Sequence, residues 1–396
     1  METNKVRRNI LTMKGFYLFT FFGVGSLYPL LSVYLNEVEG LTGYQIGTIM
    51  SISPIMMIFF QPIWGMIADI TNSPVKILTG TTLVAGVFSL GYLLNHAFYW
   101  FIIVAIMVAL FQSAIIPISD SITLKYSNKV RVNYGSIRLF GSLGFGLAVF
   151  FMGRLSEIDE TVIFYSFFIS LTLSAILSSK LPKEKAMGQK QPLLAGIKEM
   201  LTFKKFIIFL VITFLIFGPN LANNTYFGLF VEEQGGTYTG IGIAFLIAVL
   251  SEIPFMKLAG AWIHRLGLLQ VATIAGVISL LRWFFYYTEP SLPIVYLTAI
   301  MQGLSVGLFI PAGLQYIRDI TPVQMTATAV TIYSAIGNGF GNWFSTFFGG
   351  FFYDQGGIKM VYLFFSVLAL IGVVLSIWLI KIEKEDPSKH KVLARN

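Results

Sequence analysis

Cysteine is absent from this chain of 396 residues, and histidine is nearly absent. The lack of cysteine excludes disulfide bonds, thiolate metal sites and cysteine nucleophiles. The three histidines, His96, His264 and His390, stand at or beyond the ends of apolar runs, which excludes a histidine proton relay through those runs. The sequence also has no GxxxxGK[ST] phosphate loop and no set of serine, histidine and acidic residues typical of a hydrolase. We therefore expect neither an enzyme nor an ATP-driven pump, and no cofactor or metal ion.

Charge is scarce as well, because 12% of the residues are charged, whereas a soluble domain has about 25%. Hydrophobic residues make up 56% of the chain, and the mean hydropathy is +0.76. Since about 20 apolar residues cross a bilayer as a helix, the long apolar runs predict an all-α membrane protein embedded in a lipid bilayer. Twelve runs are predicted as transmembrane helices: 15–35, 44–68, 76–95, 98–121, 135–153, 161–179, 205–230, 239–261, 268–287, 292–316, 325–348 and 358–380.

The basic residues are distributed unevenly between alternate connections. Of the 27 lysines and arginines, 22 lie in the two terminal tails and the even-numbered connections, while two, Arg154 and Lys359, lie in the others. Basic connections favour the cytoplasmic side, so we predict a cell-membrane protein with both termini in the cytoplasm. This arrangement accounts for the net charge of +8 without a nucleic-acid partner. The first run is too long for a signal peptide, and no small-residue cleavage site follows it.

The longest polar interruption, residues 180–205, separates six spans from six. We therefore predict an N-terminal six-helix bundle over 1–179 and a cytoplasmic linker over 180–204, with a short surface helix near 192–202. A C-terminal six-helix bundle with a cytoplasmic tail is predicted over 205–396.

A weaker repeat marks the ends of spans 2, 5, 8 and 11. Each has a glycine four residues before a polar helix end, which lets a neighbouring helix approach closely and offers the polar residue a partner at the interface. Four matches at equivalent places predict nested three-helix inverted repeats, which are typical of secondary transporters. The residues concerned are Gly65 and Asp69, Gly153 and Glu157, Gly260 and His264, and Gly350 and Asp354.

The six-plus-six arrangement, the basic central segment and the sequence GMIAD at 65–69 together resemble the major facilitator superfamily. The resemblance covers nearly the whole chain. It implies two helical bundles that alternate access to a central site, with Gly65 and Asp69 in gating contacts. The superfamily motif continues with basic residues around a glycine, whereas this chain continues ITNSPVK and keeps only Lys76 of the basic part.

Apart from Lys76, Lys205 and Lys359 in the first two positions of their spans, five charged residues lie within the predicted spans: Asp120, Arg138, Glu252, Lys257 and Arg282. A charge at the centre of a membrane helix costs about 2.5–3.5 kcal/mol, so such residues are functional candidates with partners expected nearby. Asp120 and Arg138 flank one loop and are expected to pair, as a structural tie, as a polar-solute site, or as both. Glu252 and Arg282 are expected to form a second pair in the C-terminal half. Lys257 fits either a snorkelling side chain or a cavity residue.

Three segments resemble more closely the lactose permease-like proton symporters and their phenylpropionate permease relatives. YGSIRLFGSLGF is similar to the span 5 segment of that branch, SEIPF to its span 8 segment and LLRWFF to its span 9 segment. The resemblance implies that Asp120 and Arg138 bind substrate, that Glu252 couples substrate to the proton, and that Arg282 tunes the protonation of Glu252. It also implies a bacterial transporter that works as a monomer.

Several positions depart from lactose permease. Phe145 stands where lactose permease has a stacking tryptophan, and Gln302 and Ser305 replace a histidine and a glutamate of span 10. Because that titrating pair is missing, proton coupling would fall to Glu252 or Asp120.

Neutral polar residues of span 7 complete the candidate site. Asn223 and Tyr226 offer hydrogen bonds where some relatives carry acids or histidine, and we count them with Phe145 and Gln302 as candidate substrate-binding residues. The sequence thus predicts a proton-coupled importer of a small polar organic solute: a sugar, a nucleoside or an aromatic acid. The alternative is a proton-driven exporter of drugs or metabolites, although the Gly-Pro motif usual in span 5 of such exporters is absent.

Overall fold

A computed structural model of the chain describes residues 2–182, 200, 202–322 and 325–385. Within these ranges a helix is present at each of the twelve predicted spans, which we number 1–12. Spans 1–6 are Glu2–Glu37, Gly43–Thr71, Pro74–Ser89, Phe98–Gln112 with Ile115–Val130, Tyr134–Leu155 and Val162–Ser178. Spans 7–12 are Lys204–Glu233, Tyr238–Leu266, Leu268–Tyr287, Leu292–Ile320, Thr326–Ser334 with Asn342–Gly356, and Ile358–Glu385.

Ten of the described helices are long and apolar enough to cross a membrane by length and composition alone. Span 6 is shorter, and span 11 is interrupted. The predicted all-α, multi-pass membrane architecture is confirmed. The linker prediction for 180–204, with its helix near 192–202, falls largely outside the described residues, so it stays a prediction together with the two domain boundaries.

Local capping signals set where the helices begin and end. Span 2 starts with a capping box, in which the Thr42 side chain accepts from Gln45 N and the Gln45 side chain accepts from Thr42 N. It ends at Asn72, whose φ of 48° is the left-handed conformation that terminates a helix. Span 5 begins after Asn133, whose side chain accepts a hydrogen bond of 2.7 Å from Gly135 N.

Span 11 contains a π-helical turn, Ala335–Gly341, which the apolar pattern did not predict. Its glycines let other helices approach closely. A Cβ atom at Gly341 would lie only 3.2 Å from Gly218 Cα in span 7, and one at Gly339 would clash with the Ile58 side chain in span 2. The glycines of the segment GNGFGNW, 337–343, thus serve close packing against spans 2 and 7. Span 4 is also interrupted, by a turn at residues 113–114 between its two helices.

Spans 1–6 pack on one another, as do spans 7–12, and the two halves meet through spans 1 and 7, 2 and 11, and 5 and 8. We call the end of the bundle where span 1 begins and span 12 ends the inner end, and the opposite end the outer end. Two buried apolar cores follow from this packing. One fills the N-terminal half and continues into the outer part of the C-terminal half, and the other fills the inner part of the C-terminal half.

At the outer end the two halves are in tight contact. A Cβ atom at Gly47 in span 2 would lie 2.9 Å from Gly350 Cα in span 11, and one at Gly153 in span 5 would lie 3.2 Å from Gly242 Cα in span 8. Real Cβ atoms do not approach other atoms within 3.0 Å, and a Cβ atom at Gly153 would also lie only 2.5 Å from Tyr238 O, so both crossings require glycine. Between spans 1 and 7, Ser32 Oγ donates a hydrogen bond of 2.6 Å to the main-chain oxygen of Thr225.

Towards the inner end the equivalent helix ends lack such neighbours. A Cβ atom at Gly65 in span 2, or at Gly260 in span 8, would meet no described atom within 4 Å. The structure therefore shows a conformation that is closed at the outer end and open at the inner end. The gating contacts predicted for Gly65 and Asp69 belong to the opposite conformation and stay a prediction.

Candidate functional site

Asp120 and Arg138 lie side by side between spans 4 and 5, as the sequence predicted. Arg138 Nε is 3.8 Å from Asp120 Oδ1, and the two side chains are 29% and 27% exposed. The same Asp120 oxygen accepts a hydrogen bond of 2.6 Å from the Tyr17 hydroxyl of span 1. Since 3.8 Å is beyond hydrogen-bond distance, the carboxylate and the guanidinium attract each other without using up their hydrogen-bonding capacity.

Two aromatic rings of span 1 lie against the Arg138 guanidinium. The positions of charged residues within the spans did not identify these rings as part of the site. The Arg138 Cζ lies 4.1 Å from the centre of the Phe21 ring and 5.4 Å from that of Tyr17, which is cation–π distance. Span 1 comes this close because span 5 is glycine-rich, and a Cβ atom at Gly144 would clash with the main chain of Leu18. Tyr17 and Phe21 share one helix face at a spacing of four residues, but the sequence does not say which span that face meets.

Phe145 lies on the same face of span 5 as Arg138. The spacing of seven residues equals two helical turns, or about 10 Å along the axis. The ring is partly buried against the N-terminal core. Arg138 and Phe145 thus place a charged and an aromatic side chain on one face of span 5, two turns apart.

The polar candidates of the C-terminal half form a neutral hydrogen-bond network. Asn223 Nδ2 donates to Gln302 Oε1 at 3.2 Å, and the Tyr362 hydroxyl donates to Asn223 Oδ1 at 3.1 Å. Below it, Ser305 Oγ hydrogen-bonds to the Ser279 hydroxyl. Gln302 and Ser305, which replace the titrating pair of lactose permease, therefore both take part in uncharged contacts.

Arg282 does not form the predicted ion pair with Glu252 among the described residues. Its side chain is 1% exposed, and Nε donates to the Tyr286 hydroxyl at 3.2 Å, while both terminal nitrogens have no hydrogen-bond partner. The guanidinium lies instead against the rings of Trp283, Tyr286 and Phe227, at 4.8, 5.0 and 5.9 Å from their centres. The pairing prediction is wrong for this conformation, because aromatic faces rather than a carboxylate surround the cation.

Glu252 stands at the closest approach of spans 8 and 10. A Cβ atom at Gly303 would lie 2.7 Å from Glu252 N, and one at Gly307 would lie 3.1 Å from Glu252 O. The residue is partly exposed, and within the described part of the chain its carboxylate has no hydrogen bond or ion pair. Lys257, five residues further along span 8 towards the inner end, is exposed.

Tyr226 is fully buried in the C-terminal half. Its hydroxyl donates to the main-chain oxygen of Thr346 in span 11, and its ring packs beside Gly349. In this conformation the hydroxyl is therefore used inside the half, and a substrate contact by Tyr226 stays a prediction.

Comparison with known proteins agrees with this architecture. The family model described as the MFS_1 like family matches residues 10–364. The chain is 48% identical over 393 residues to the transporter YwbF of Bacillus subtilis (strain 168), covering 99% of this chain and 98% of that protein. It is 45% identical over 370 residues to the maltose permease of Geobacillus stearothermophilus, covering 93% and 94%. The crystal structure of the nucleoside transporter NupG has the same fold, with a TM-score of 0.81 at 18% identity, covering 95% of this chain and 99% of that one.

These matches run over nearly the whole length of the chain and include both halves of the bundle. Together with the helical architecture, they indicate a transporter rather than an enzyme. The chain therefore belongs to the MFS_1 like family and is a secondary transporter of small solutes in the lactose permease-like branch of the major facilitator superfamily.

Proposed function

We propose that the protein imports a neutral sugar together with a proton, with its inner end in the cytoplasm of a bacterial cell and with one chain as the working unit. The observation that carries the proposal is the partly exposed pair of Asp120 and Arg138. Each charge already has an opposite charge beside it, so a neutral solute rich in hydroxyls can donate to the carboxylate and accept from the guanidinium. An anionic solute would leave the Asp120 carboxylate without its cation.

The relatives favour a sugar over a nucleoside or an aromatic acid. The chain is 45% identical to a protein named maltose permease, whereas its likeness to the nucleoside transporter NupG rests on 18% identity and concerns the fold alone. The spacing of Arg138 and Phe145 suits a disaccharide, because one sugar ring can stack on the phenyl ring while the other reaches the charged pair. We therefore propose a glucose-containing disaccharide such as maltose as the substrate class.

Proton coupling is assigned to Glu252 in this proposal. Loss of water favours the protonated form of a carboxyl group, and an approaching guanidinium favours the ionised form. Among the described residues, the Glu252 carboxylate has no hydrogen bond or ion pair in the inner-open conformation, and the two terminal nitrogens of Arg282 have no hydrogen-bond partner. For proton-coupled import, Glu252 takes up its proton while the site faces outwards and carries it into the inner-open conformation, where its side chain is partly exposed. An approach of the Arg282 guanidinium while the inner end is open would then favour the ionised carboxylate and release the proton to the inner side.

Uptake into proteoliposomes tests the proposal. Maltose, sucrose, lactose, a nucleoside and an aromatic acid are offered with and without an imposed inward proton gradient. We expect gradient-dependent accumulation of maltose or a close analogue. Accumulation of the nucleoside or the acid alone would overturn the sugar class, uptake indifferent to the gradient would overturn proton coupling, and gradient-driven efflux would identify an exporter.

Tyr17→Phe is expected to weaken sugar binding by about three- to tenfold. The substitution removes one hydrogen bond to a carboxylate and leaves the ring against Arg138 in place. Equilibrium binding of the transported sugar to purified protein measures the change. Tyr126→Phe is the matched control, since its hydroxyl accepts from Asn9 at 2.9 Å and does not contact Asp120. An unchanged affinity in Tyr17→Phe would show that the hydroxyl does not orient the carboxylate.

Phe145→Ala is expected to weaken sugar binding by about tenfold, and Phe145→Trp to retain it. The reason is that a sugar ring stacks on an aromatic face of either type but not on a methyl group. Binding is compared with that of Phe151→Ala, which removes a 49% exposed phenyl ring from the same span. Equal losses in both alanine variants would mean that the effect comes from span 5 packing rather than from stacking.

A further inference from the structure

Two carboxylates at the outer end each bind the first turn of a helix in the opposite half. Asp354, at the end of span 11, accepts hydrogen bonds from Gly43 N at 2.6 Å and from Tyr44 N at 2.9 Å, at the start of span 2. Glu157, just after span 5, accepts a hydrogen bond of 3.0 Å from Thr239 N at the start of span 8. Both contacts cross the interface that must open for the site to face outwards.

The first N–H groups of a helix have no partner within the helix, and its N-terminus carries partial positive charge. A carboxylate placed there satisfies those N–H groups through charge-assisted hydrogen bonds. The arrangement ties the two halves together only while their outer ends touch, because the donors and the acceptor belong to different halves. Opening the outer end must break all three hydrogen bonds.

The two contacts are built alike. In both contacts, the carboxylate lies four residues after the glycine at which its helix crosses the facing helix. That glycine is Gly350 for Asp354 and Gly153 for Glu157. In both, the receiving helix begins after a threonine whose side chain caps it. The glycine that receives the crossing lies five residues after that threonine, as Gly47 in span 2 and Gly242 in span 8. The contact between spans 11 and 2 and the contact between spans 5 and 8 therefore have the same arrangement of glycine, threonine and carboxylate at the outer end.

The inner ends of spans 2 and 8 carry an unequal version of the same pattern. Span 2 has Asp69 four residues after Gly65, but span 8 has His264 and Arg265 after Gly260. A cationic side chain is unfavourable at a helix N-terminus, so span 8 cannot cap a facing helix as the carboxylates do. The outer end thus has two acidic helix caps, Asp354 and Glu157. At the inner end the same sequence pattern supplies one acidic residue, Asp69.

We propose that Asp354 and Glu157 form a double latch that holds the outer end closed. Because the outer end has more acidic helix caps than the inner end, the outer-closed conformation is the resting state. The proposal rests on the protein being an alternating-access transporter and does not depend on the identity of the solute or on proton coupling. Without solute, the binding site then faces the inner end for most of the time. The latch carboxylates are distinct from those of the solute site, since Asp354 and Glu157 lie at the outer surface.

Cysteine accessibility tests the latch directly, because the chain has no cysteine of its own. Val33→Cys reports on the outer end, since Val33 is 1% exposed and packs against Gly228 between spans 1 and 7. Gly260→Cys reports on the inner end, where a side chain meets no described atom. Each reporter is placed in protein reconstituted in vesicles of known orientation and is labelled with a membrane-impermeant maleimide from the side that it faces.

Combining Asp354→Asn with Glu157→Gln is expected to raise the labelling rate at the outer reporter by about tenfold and to lower the rate at the inner reporter. The matched control is Asp159→Asn. It removes a carboxylate at the outer end that, among the described residues, accepts hydrogen bonds only from Thr161 in the same loop, and so does not link the two halves. It should leave both rates unchanged. Equal rates in the latch variant and the parent would overturn the proposal, as would an equal effect of Asp159→Asn.

Faster labelling at both reporters would mean that the double variant has unfolded. The single variants, Asp354→Asn and Glu157→Gln, then decide, because each retains one latch. Each should still show a smaller rise at the outer reporter and a smaller fall at the inner one. Unchanged rates in both single variants would reject the latch.

Discussion

Replacing Arg138 by alanine is expected to weaken sugar binding by about 100-fold and to reduce uptake to background. The substitution removes the hydrogen-bond donors of the site and leaves Asp120, 27% exposed, without its cation. Truncating a charged group that hydrogen-bonds a bound partner costs about 2–5 kcal/mol of binding free energy, and the partial exposure of this pair to water places the expected loss at about 2–3 kcal/mol. The change should appear both in equilibrium binding and in initial uptake rates.

Arg138→Lys separates charge from geometry. A lysine keeps the positive charge but offers a single ammonium group in place of the planar fork, and it stacks less well on Phe21. We expect an intermediate loss of about tenfold. Lys257→Ala is the control, since it removes a membrane-embedded cation that is exposed and lies outside the proposed site. If Arg138→Ala bound sugar as well as Lys257→Ala does, the pair would be a structural tie between helices, and the sugar site would have to lie elsewhere.

The sequence predicts the number and order of the membrane-spanning helices well, because the thickness of the bilayer sets the length of the apolar run that each helix needs. A run of about 20 apolar residues has few structural options other than a membrane helix, so a helix was found at each of the twelve spans. Helix ends were predicted less well, since span 1 begins at residue 2 rather than 15, and spans 4 and 11 end at residues 130 and 356 rather than 121 and 348. The same requirement for apolar residues makes a charge inside a span conspicuous. Asp120 and Arg138 could be paired from sequence because a short loop joins their helices and fixes their relative depth.

What the sequence did not reveal depends on contacts between distant helices. Tyr17 and Phe21 look like ordinary apolar-face residues until span 1 is placed against span 5. Arg282 and Glu252 lie in consecutive spans, as Asp120 and Arg138 do, yet Arg282 turns into an aromatic cluster. Aromatic faces and carboxylates both stabilise a guanidinium, and sequence spacing cannot distinguish which one it meets.

The two halves of the transporter carry different chemistry. The N-terminal half presents a charge pair whose members already attract each other, which suits the binding of a neutral solute. Among the described residues of the C-terminal half, Glu252 and Arg282 each lack an opposite charge beside them, and the nearby hydrogen bonds of Asn223, Gln302 and Tyr362 are neutral. Unpaired charges are costly in a membrane protein, so their separation stores free energy that a change of conformation can release. This difference is the reason why the proposed mechanism places solute binding in one half and proton coupling in the other.

Glu252→Gln is therefore expected to abolish accumulation of sugar against its gradient while leaving downhill exchange intact. An inward gradient of one pH unit provides about 1.4 kcal/mol per proton, enough to hold about tenfold accumulation in the parent protein. The glutamine variant should reach only equal concentrations on both sides, because an amide neither binds nor releases the proton. Exchange of labelled for unlabelled sugar needs no net proton movement, so its rate should stay within about twofold of the parent rate.

Glu252→Asp is the matched variant, since it keeps a titratable carboxyl group and should keep part of the accumulation. Asp120→Asn distinguishes the two roles, because it should impair exchange as well as accumulation by weakening the sugar site. Gradient-driven accumulation that survives in Glu252→Gln but is lost in Asp120→Asn, with exchange retained, would move the coupling carboxylate to the N-terminal half. Loss of exchange together with accumulation in Glu252→Gln would instead make Glu252 part of the sugar site. The comparison thus assigns the coupling proton to one of the two carboxylates, Glu252 or Asp120, because span 10 offers the neutral side chains of Gln302 and Ser305 instead of a titrating pair.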